Sequence, residues 1–114
     1  METKHTPGPW LVMNTSDVFT GLAAKAADGR STAKDDGWHI ADCAPSGSYV
    51  EGGSGLHELS LDEIKANARL IAAAPDLLDS LSEIFDYAGG ADSALHDEYV
   101  MDRARAAIAK AEGK

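Results

Sequence analysis

The hydrophobic period of this chain changes once, at Ser60, and that change limits its fold more than any other feature. Before Ser60 the apolar residues come in short runs bounded by turn formers, at 10–13, 18–20, 38–41 and 49–50. After Ser60 they recur every three or four residues, as on one face of a helix. Strands followed by helices are typical of α+β proteins. We therefore predict a small N-terminal antiparallel β-sheet of three or four short strands, followed by two C-terminal α-helices.

Proline and glycine mark the limits of the strand-rich part. The Pro7-Gly8-Pro9 run excludes a helix and predicts a turn before the first strand. A turn over 14–17 separates the first two strands, and residues 23–36 predict a long, mobile connection to the third. In that third strand, Trp38 and Ile40 share one face, while His39 and Ala41 share the other. Whether the strands close into a barrel is open.

The helical part begins with a capping box, in which Ser60 and Glu63 satisfy each other's backbone amides. One stripe then runs along the predicted helix: Ile64, Ala68, Ile71, Pro75, Leu78, Leu81 and Phe85. Pro75 removes one helical hydrogen bond. It therefore either kinks a single helix or separates two helices, with Asp76 in the opening turn of the second. The prediction adopted is one helix kinked at Pro75.

A last helix is predicted to start near Asp92 and Ser93. Its apolar side carries Val100, Ala104, Ala107, Ile108 and Ala111. The whole chain, 1–114, is predicted to form a single domain, with a β part at 7–51 and a helical part at 60–112.

Charge and length exclude several classes of protein. The 114 residues have a mass of 11.9 kDa and a net charge of −9. This charge disfavours direct binding to nucleic acid. No apolar run approaches the roughly 20 residues that cross a bilayer, so no membrane association is predicted. A lone cysteine, Cys43, fits a reducing cytoplasm.

No catalytic, metal or cofactor motif is present. The four histidines lack a second ligand at the spacing of a zinc site. Cys43 has His39 nearby but no evident third catalytic residue, so a half-buried thiol at a strand end is the better interpretation. The glycines at 52–55 lack the lysine of a phosphate-binding loop. We therefore predict a protein that is not an enzyme.

Polar residues on the helices are the candidate ligand-binding groups. Asn67 is a poor helix former that lies close to the buried stripe, where its amide must find hydrogen bonds. The amide either ties the helix to a strand or loop or faces a pocket and binds a ligand such as a nucleobase. Arg69, Arg103 and Arg105 either pair with nearby carboxylates or bind phosphate. Trp10 is either a core residue or a stacking surface.

Two segments of the chain resemble small proteins of tailed bacteriophages and prophages. They are the run His5-Thr6-Pro7-Gly8-Pro9-Trp10 and the helical run from Asn67 to Leu78, and the closing run from Arg105 to Ala111 is also similar. The layout of the chain further resembles the phage proteins that defeat the Thoeris defence. That resemblance implies a sponge in the host bacterial cytoplasm, which sequesters cyclic ADP-ribose isomers without cleaving them. It further implies that Asn67 and an aromatic residue contact the adenine, and that Arg69 and Arg105 contact the pyrophosphate.

The alternative is an acidic inhibitor, similar to anti-CRISPR proteins, that binds a host defence complex. Its negative charge would complement a positively charged nucleic-acid channel. The two hypotheses predict different partners, a small cyclic nucleotide or a host defence protein. Alanine faces at Ala68, Ala72, Ala104 and Ala107 predict a homodimer or higher homo-oligomer formed through the helices.

Overall fold

The computed structural model describes residues 4–44, 47–88 and 97–113. Eight elements follow one another in these ranges: β1 (Trp10–Met13), β2 (Asp17–Thr20), β3 (His39–Asp42), β4 (Ser48–Tyr49), β5 (Leu56–His57), α1 (Leu61–Ala72), α2 (Ala74–Ala88) and α3 (Glu98–Ala111). The α+β order predicted from the change of period is confirmed. The N-terminal sheet has three strands, within the predicted three or four. Among the described residues the helices number three, so the predicted number of two helices was wrong.

Strands β1, β2 and β3 form one antiparallel sheet, with β2 in the centre. Val12 and Ala41 both pair with Val18, and the buried Thr20 lies on the same face as Val18. Helix α1 contacts all three strands and covers this face with its own buried residues, Ile64 and Ala68. Strands β4 and β5 form a separate two-stranded ribbon. Of these, β5 was missed because its two residues are too few to show a period.

Residues 21–37 connect β2 to β3 through a hydrogen-bonded loop. The N–H of Ala23 donates to the carbonyl of Asp36 at 2.9 Å, and the indole N–H of Trp38 donates to the carbonyl of Ala24 at 3.0 Å. The N–H of Arg30 donates to the Asp28 carboxylate and thereby lowers the pKa of Asp28. The segment has no helix or strand, as predicted, but its backbone is more internally bonded than a simple connection requires.

Helices α1 and α2 are separate, which corrects the prediction of one helix kinked at Pro75. α1 ends at Ala72 and is capped by Ala73, whose N–H donates to the carbonyl of Arg69 at 3.0 Å. α2 begins at Ala74, so Pro75 lies in its first turn, where a missing N–H costs nothing. The Ser60 cap is confirmed, because its hydroxyl accepts the N–H of Glu63 at 3.2 Å.

Helix α3 begins later than predicted. Asp97 caps it by accepting the N–H of Val100 at 3.2 Å, and the predicted start at Asp92 and Ser93 lies outside the described residues. The predicted apolar side was wrong in part. Met101 is the buried residue, with Ala104 and Ile108 half-buried, because these three lie at helical spacing. The other members of the predicted side are exposed: Val100, Ala107 and Ala111.

The chain divides into two compact units. Met1–Ala74 holds the sheet, the ribbon and α1, and Pro75–Lys114 holds α2 and α3. This boundary falls inside the helical part predicted from the sequence rather than between that part and the strands. A single domain would require the two units to unfold cooperatively, and this stays a prediction. Among the described residues, no helix is both long and apolar enough to cross a membrane.

Candidate functional site

An open groove lies between α1 and the β3 edge of the sheet. It has a volume of about 370 Å³, and most of its wall is apolar. Its polar groups are the Asp42 carboxylate, which accepts the N–H of Ala44 at 2.9 Å, and the Asn67 amide. We call it the Asn67 groove, and its lining residues are Ala41, Asp42, Cys43, Leu59, Asn67, Leu70 and Ile71.

The structure corrects one expectation about Asn67 and leaves the other open. Its side chain is exposed and makes no hydrogen bond within the described ranges, so it does not tie α1 to a strand or loop. The buried stripe of α1 is narrow, since only Ile64 and Ala68 are buried on it. Asn67 therefore lies at the margin of the stripe, where the groove opens and water can solvate the amide. Its donor and acceptor are available to a ligand.

Arg69 and Trp10 lie away from this groove. Arg69 follows Asn67 by two residues, which places it about 200° around the axis of α1. Trp10 belongs to β1, at the opposite edge of the sheet from β3. Its indole N–H donates to the carbonyl of Thr6 at 3.2 Å, and its ring stands edge-on to His5. Unit 1 thus does not bring Asn67, Arg69 and Trp10 together.

Arg103 and Arg105 lie in the other compact unit, where both guanidinium groups are exposed and contact aromatic rings. Arg105 pairs with Asp102 at 2.7 Å and lies 5.4 Å from the centroid of Phe85. Arg103 lies 5.7 Å from the centroid of the Tyr99 ring. Of the two interpretations of Arg105, the structure therefore contains the pairing with a nearby carboxylate. A shared anion site of these arginines with Asn67 stays a prediction.

Cys43 is half-buried just beyond β3, as interpreted from the sequence. His39 is occupied elsewhere, because its ring stacks on Phe19 with centroids 4.6 Å apart and its Nε2 lies 3.4 Å from Asp17. The structure thus does not pair His39 with Cys43. Within the described ranges, no group of three or more metal-ligating side chains is found.

Helix α2 carries two parallel rows of exposed side chains that the sequence analysis did not single out. Asp76, Asp79, Glu83 and Asp86 form an acidic row at spacings of three, four and three residues. Three of these acids are each followed by a member of a second row, in which Leu77, Ile84 and Tyr87 are 54, 56 and 74% exposed. Ser80, Glu83, Ile84 and Tyr87 line a shallow depression of about 420 Å³. We call the seven acidic and apolar side chains the α2 double row.

Apart from Asp76, which lies in the first turn and favours the helix N-terminus, the acidic row is unfavourable for α2. Neighbouring carboxylates at spacings of three and four residues repel one another. The last turn of α2 has no basic residue, although a helix C-terminus favours positive charge. None of the four carboxylates forms an ion pair with a described residue. Helix stability therefore does not explain Asp79, Glu83 and Asp86, whereas a positively charged partner would.

The sequence contains a signal that could have revealed the double row. The predicted stripe of Leu78, Leu81 and Phe85 is the half-buried side of α2, as expected. A second apolar set, at 77, 84 and 87, follows helical spacing on another side and is preceded at each position by an acid. A helix with more apolar positions than one buried stripe requires has an outward-facing apolar surface.

The whole chain, residues 1–114, matches the family model described as Salmonella phage P22 protein Y8K6. The chain belongs to this family. The resemblance to phage proteins is thereby confirmed at the level of origin. No curated protein and no solved structure matches the chain. The phage P22 family model covers both compact units, so the Asn67 groove and the α2 double row both lie within the matched residues.

Proposed function

We propose that this phage P22 family protein counters a bacterial defence by binding a host protein. The proposed contact surface is the α2 double row, and the proposed partner surface is basic with an apolar centre. The observation that carries this proposal is the exposed acidic row, which has four carboxylates and no basic residue across the 15 residues of α2. A phage protein that binds and blocks a partner requires no catalytic group.

Electrostatics supports a basic partner. The net charge of −9 repels nucleic acid and attracts positively charged surfaces. Host proteins that handle nucleic acid expose such surfaces, and complementary charge speeds association with them. The acidic row concentrates this charge on a single helix. Binding should therefore weaken as salt screens the carboxylates.

The apolar row supports an interface that buries apolar surface in addition to pairing charges. Leu77, Ile84 and Tyr87 lie beside the carboxylates on adjacent strips of α2. Exposed tyrosine is a frequent anchor in protein interfaces, because its ring buries a large area with little loss of conformational freedom. An apolar centre bordered by charge is the usual organisation of an interface. The double row thus has the composition of a docking surface.

Sequestration of a cyclic nucleotide is the second candidate function. It is favoured by the Asn67 amide, which has no partner among the described residues and lines a groove of about 370 Å³. The charged lining residue of that groove is Asp42, which would repel a pyrophosphate. This candidate therefore requires arginines from elsewhere, and it ranks below binding to a host protein.

One pair of measurements separates the two functions. In a thermal-shift assay with cyclic ADP-ribose isomers, we expect no stabilisation of the protein. A sponge would instead gain about 2.7 kcal/mol at a ligand concentration 100 times its Kd, and Asn67→Ala would abolish that gain. In a co-purification from bacteria that carry the targeted defence, we expect a basic host protein that is released as salt rises. A clear nucleotide shift without such a partner would replace the proposed function with the second.

A further inference from the structure

The outer edge of β1 is unpaired among the strands that the structure describes. The sheet order is β1-β2-β3, so β1 has a strand on one side only. Its four residues, Trp10–Met13, carry no charge, and Leu11, Val12 and Met13 are 47, 37 and 48% exposed. An exposed, uncharged edge strand is a template for pairing with another strand.

The register identifies which backbone groups face outward. The N–H of Thr20 donates to the carbonyl of Trp38, on the β3 side of β2. The backbone groups of Thr20 therefore do not bond to those of Trp10, its partner in β1. Because the pattern of an antiparallel pair repeats every two residues, the backbone groups of Val18 do not bond to those of Val12 either. The N–H and C=O groups of Trp10 and Val12 thus point away from the sheet, whereas those of Leu11 and Met13 point toward β2.

We propose that β1 pairs antiparallel with β1 of a second copy of this chain, which joins the two three-stranded sheets into one. With a two-fold axis at Leu11, Trp10 of each copy faces Val12 of the other. Each such pair exchanges two backbone hydrogen bonds, so the junction contains four. Pro9 of one copy then lies opposite Met13 of the other. This is a non-hydrogen-bonded pair, so neither residue has to donate an N–H across the junction. The edge is therefore self-complementary in this register.

Charge favours a second copy at this edge over the helical faces. Each copy carries −9, so the approach of two copies is least unfavourable at a surface without carboxylates, and β1 has none. The nearest acid in the sheet, Asp17, already lies beside His39. The helical interface predicted from alanine faces would need Ala68, which is fully buried inside its own protomer. This inference does not depend on the proposed function, whose surface lies in the other compact unit.

The test is the oligomeric state of Leu11→Lys compared with a matched variant. Sedimentation at concentrations of about 100 µM should find a reversible dimer for the unmodified protein. Leu11→Lys should weaken that dimer by about tenfold or more, because the two ammonium groups would lie opposite each other at the axis. Leu22→Lys makes the same change of charge at a 71% exposed position outside the strands, and it should leave the dimer unchanged.

Amide hydrogen exchange supplies the second readout. The amides of Trp10 and Val12 should become protected as concentration rises, and by a larger factor than the Leu11 and Met13 amides, which already bond to β2 in the monomer. A monomer at about 100 µM would overturn the proposal. A dimer that tolerates Leu11→Lys, or that leaves the Trp10 and Val12 amides unprotected, would also overturn it, because that dimer would use another surface.

Discussion

Gly37→Ala should unfold unit 1 at a markedly lower temperature than the unmodified protein. A Cβ atom at residue 37 would lie 2.6 Å from the carbonyl oxygen of Thr20 and 3.0 Å from that of Gly21. Both obstacles are backbone atoms and cannot rotate away. Relief requires β2 and the start of β3 to separate, which disturbs the 2.8 Å hydrogen bond from the N–H of Trp38 to the Thr20 hydroxyl. We expect a loss of about 3 kcal/mol in the free energy of unfolding.

Gly21→Ala is the matched control for this prediction. A Cβ at residue 21 would meet nothing within 4 Å, and Gly21 is not among the residues with positive φ. The control should therefore change the free energy of unfolding by no more than about 0.5 kcal/mol. Thermal unfolding followed by circular dichroism measures both variants. Equal melting temperatures for Gly37→Ala and Gly21→Ala would mean that the strands do not approach at residue 37 as described.

Tyr87→Ala should weaken binding to the co-purified host protein by about 10- to 100-fold. Tyr87 is 74% exposed in the free protein, so its removal should leave the free energy of unfolding nearly unchanged. In the complex, the ring would be the largest apolar anchor of the α2 double row. Truncating a buried aromatic anchor costs about 1.4–3 kcal/mol in interfaces of this kind. Isothermal titration with the purified partner measures the loss.

Tyr49→Ala is the corresponding control, because Tyr49 is 81% exposed and lies on β4 in the other compact unit. It removes the same side chain from a surface without an acidic row, and affinity should be retained. If Tyr49→Ala weakened binding as much as Tyr87→Ala, the contact would not be specific to α2. If neither variant changed affinity, the apolar row would lie outside the interface.

The fold class could be predicted from the sequence because the change of period at Ser60 reflects burial. The Ser60 cap and the α1 stripe followed from local rules that tertiary packing does not override. The break after Ala72 was harder to predict, because a proline in a first turn and a proline in a kink leave the same sequence pattern. Strand β5 has two residues, and its pairing with β4 depends on contacts that no local pattern encodes.

The site was less predictable than the fold. Asn67 was singled out as a poor helix former beside the buried stripe, but its exposure depends on where the sheet edge ends beneath α1. The four acids of α2 entered the sequence analysis only through the net charge of the chain. A search for the buried stripe of a helix does not register the pattern of its exposed residues. A search for a second periodic set on α2 would have found Leu77, Ile84 and Tyr87. Burial patterns predict cores well, whereas interaction surfaces require the residues left after the core is assigned.

The double variant Glu83→Lys/Asp86→Lys tests the central claim most directly. It places positive charge near the C-terminus of α2, so the free energy of unfolding should rise by about 0.5–1 kcal/mol. Affinity for the host protein should nevertheless fall at least about 100-fold at low salt, because attraction becomes repulsion. The matched variant Glu51→Lys/Glu58→Lys, at two exposed positions in the other compact unit, gives the same net charge and should largely retain binding. Equal loss of affinity in the two double variants, or none in either, would contradict the account.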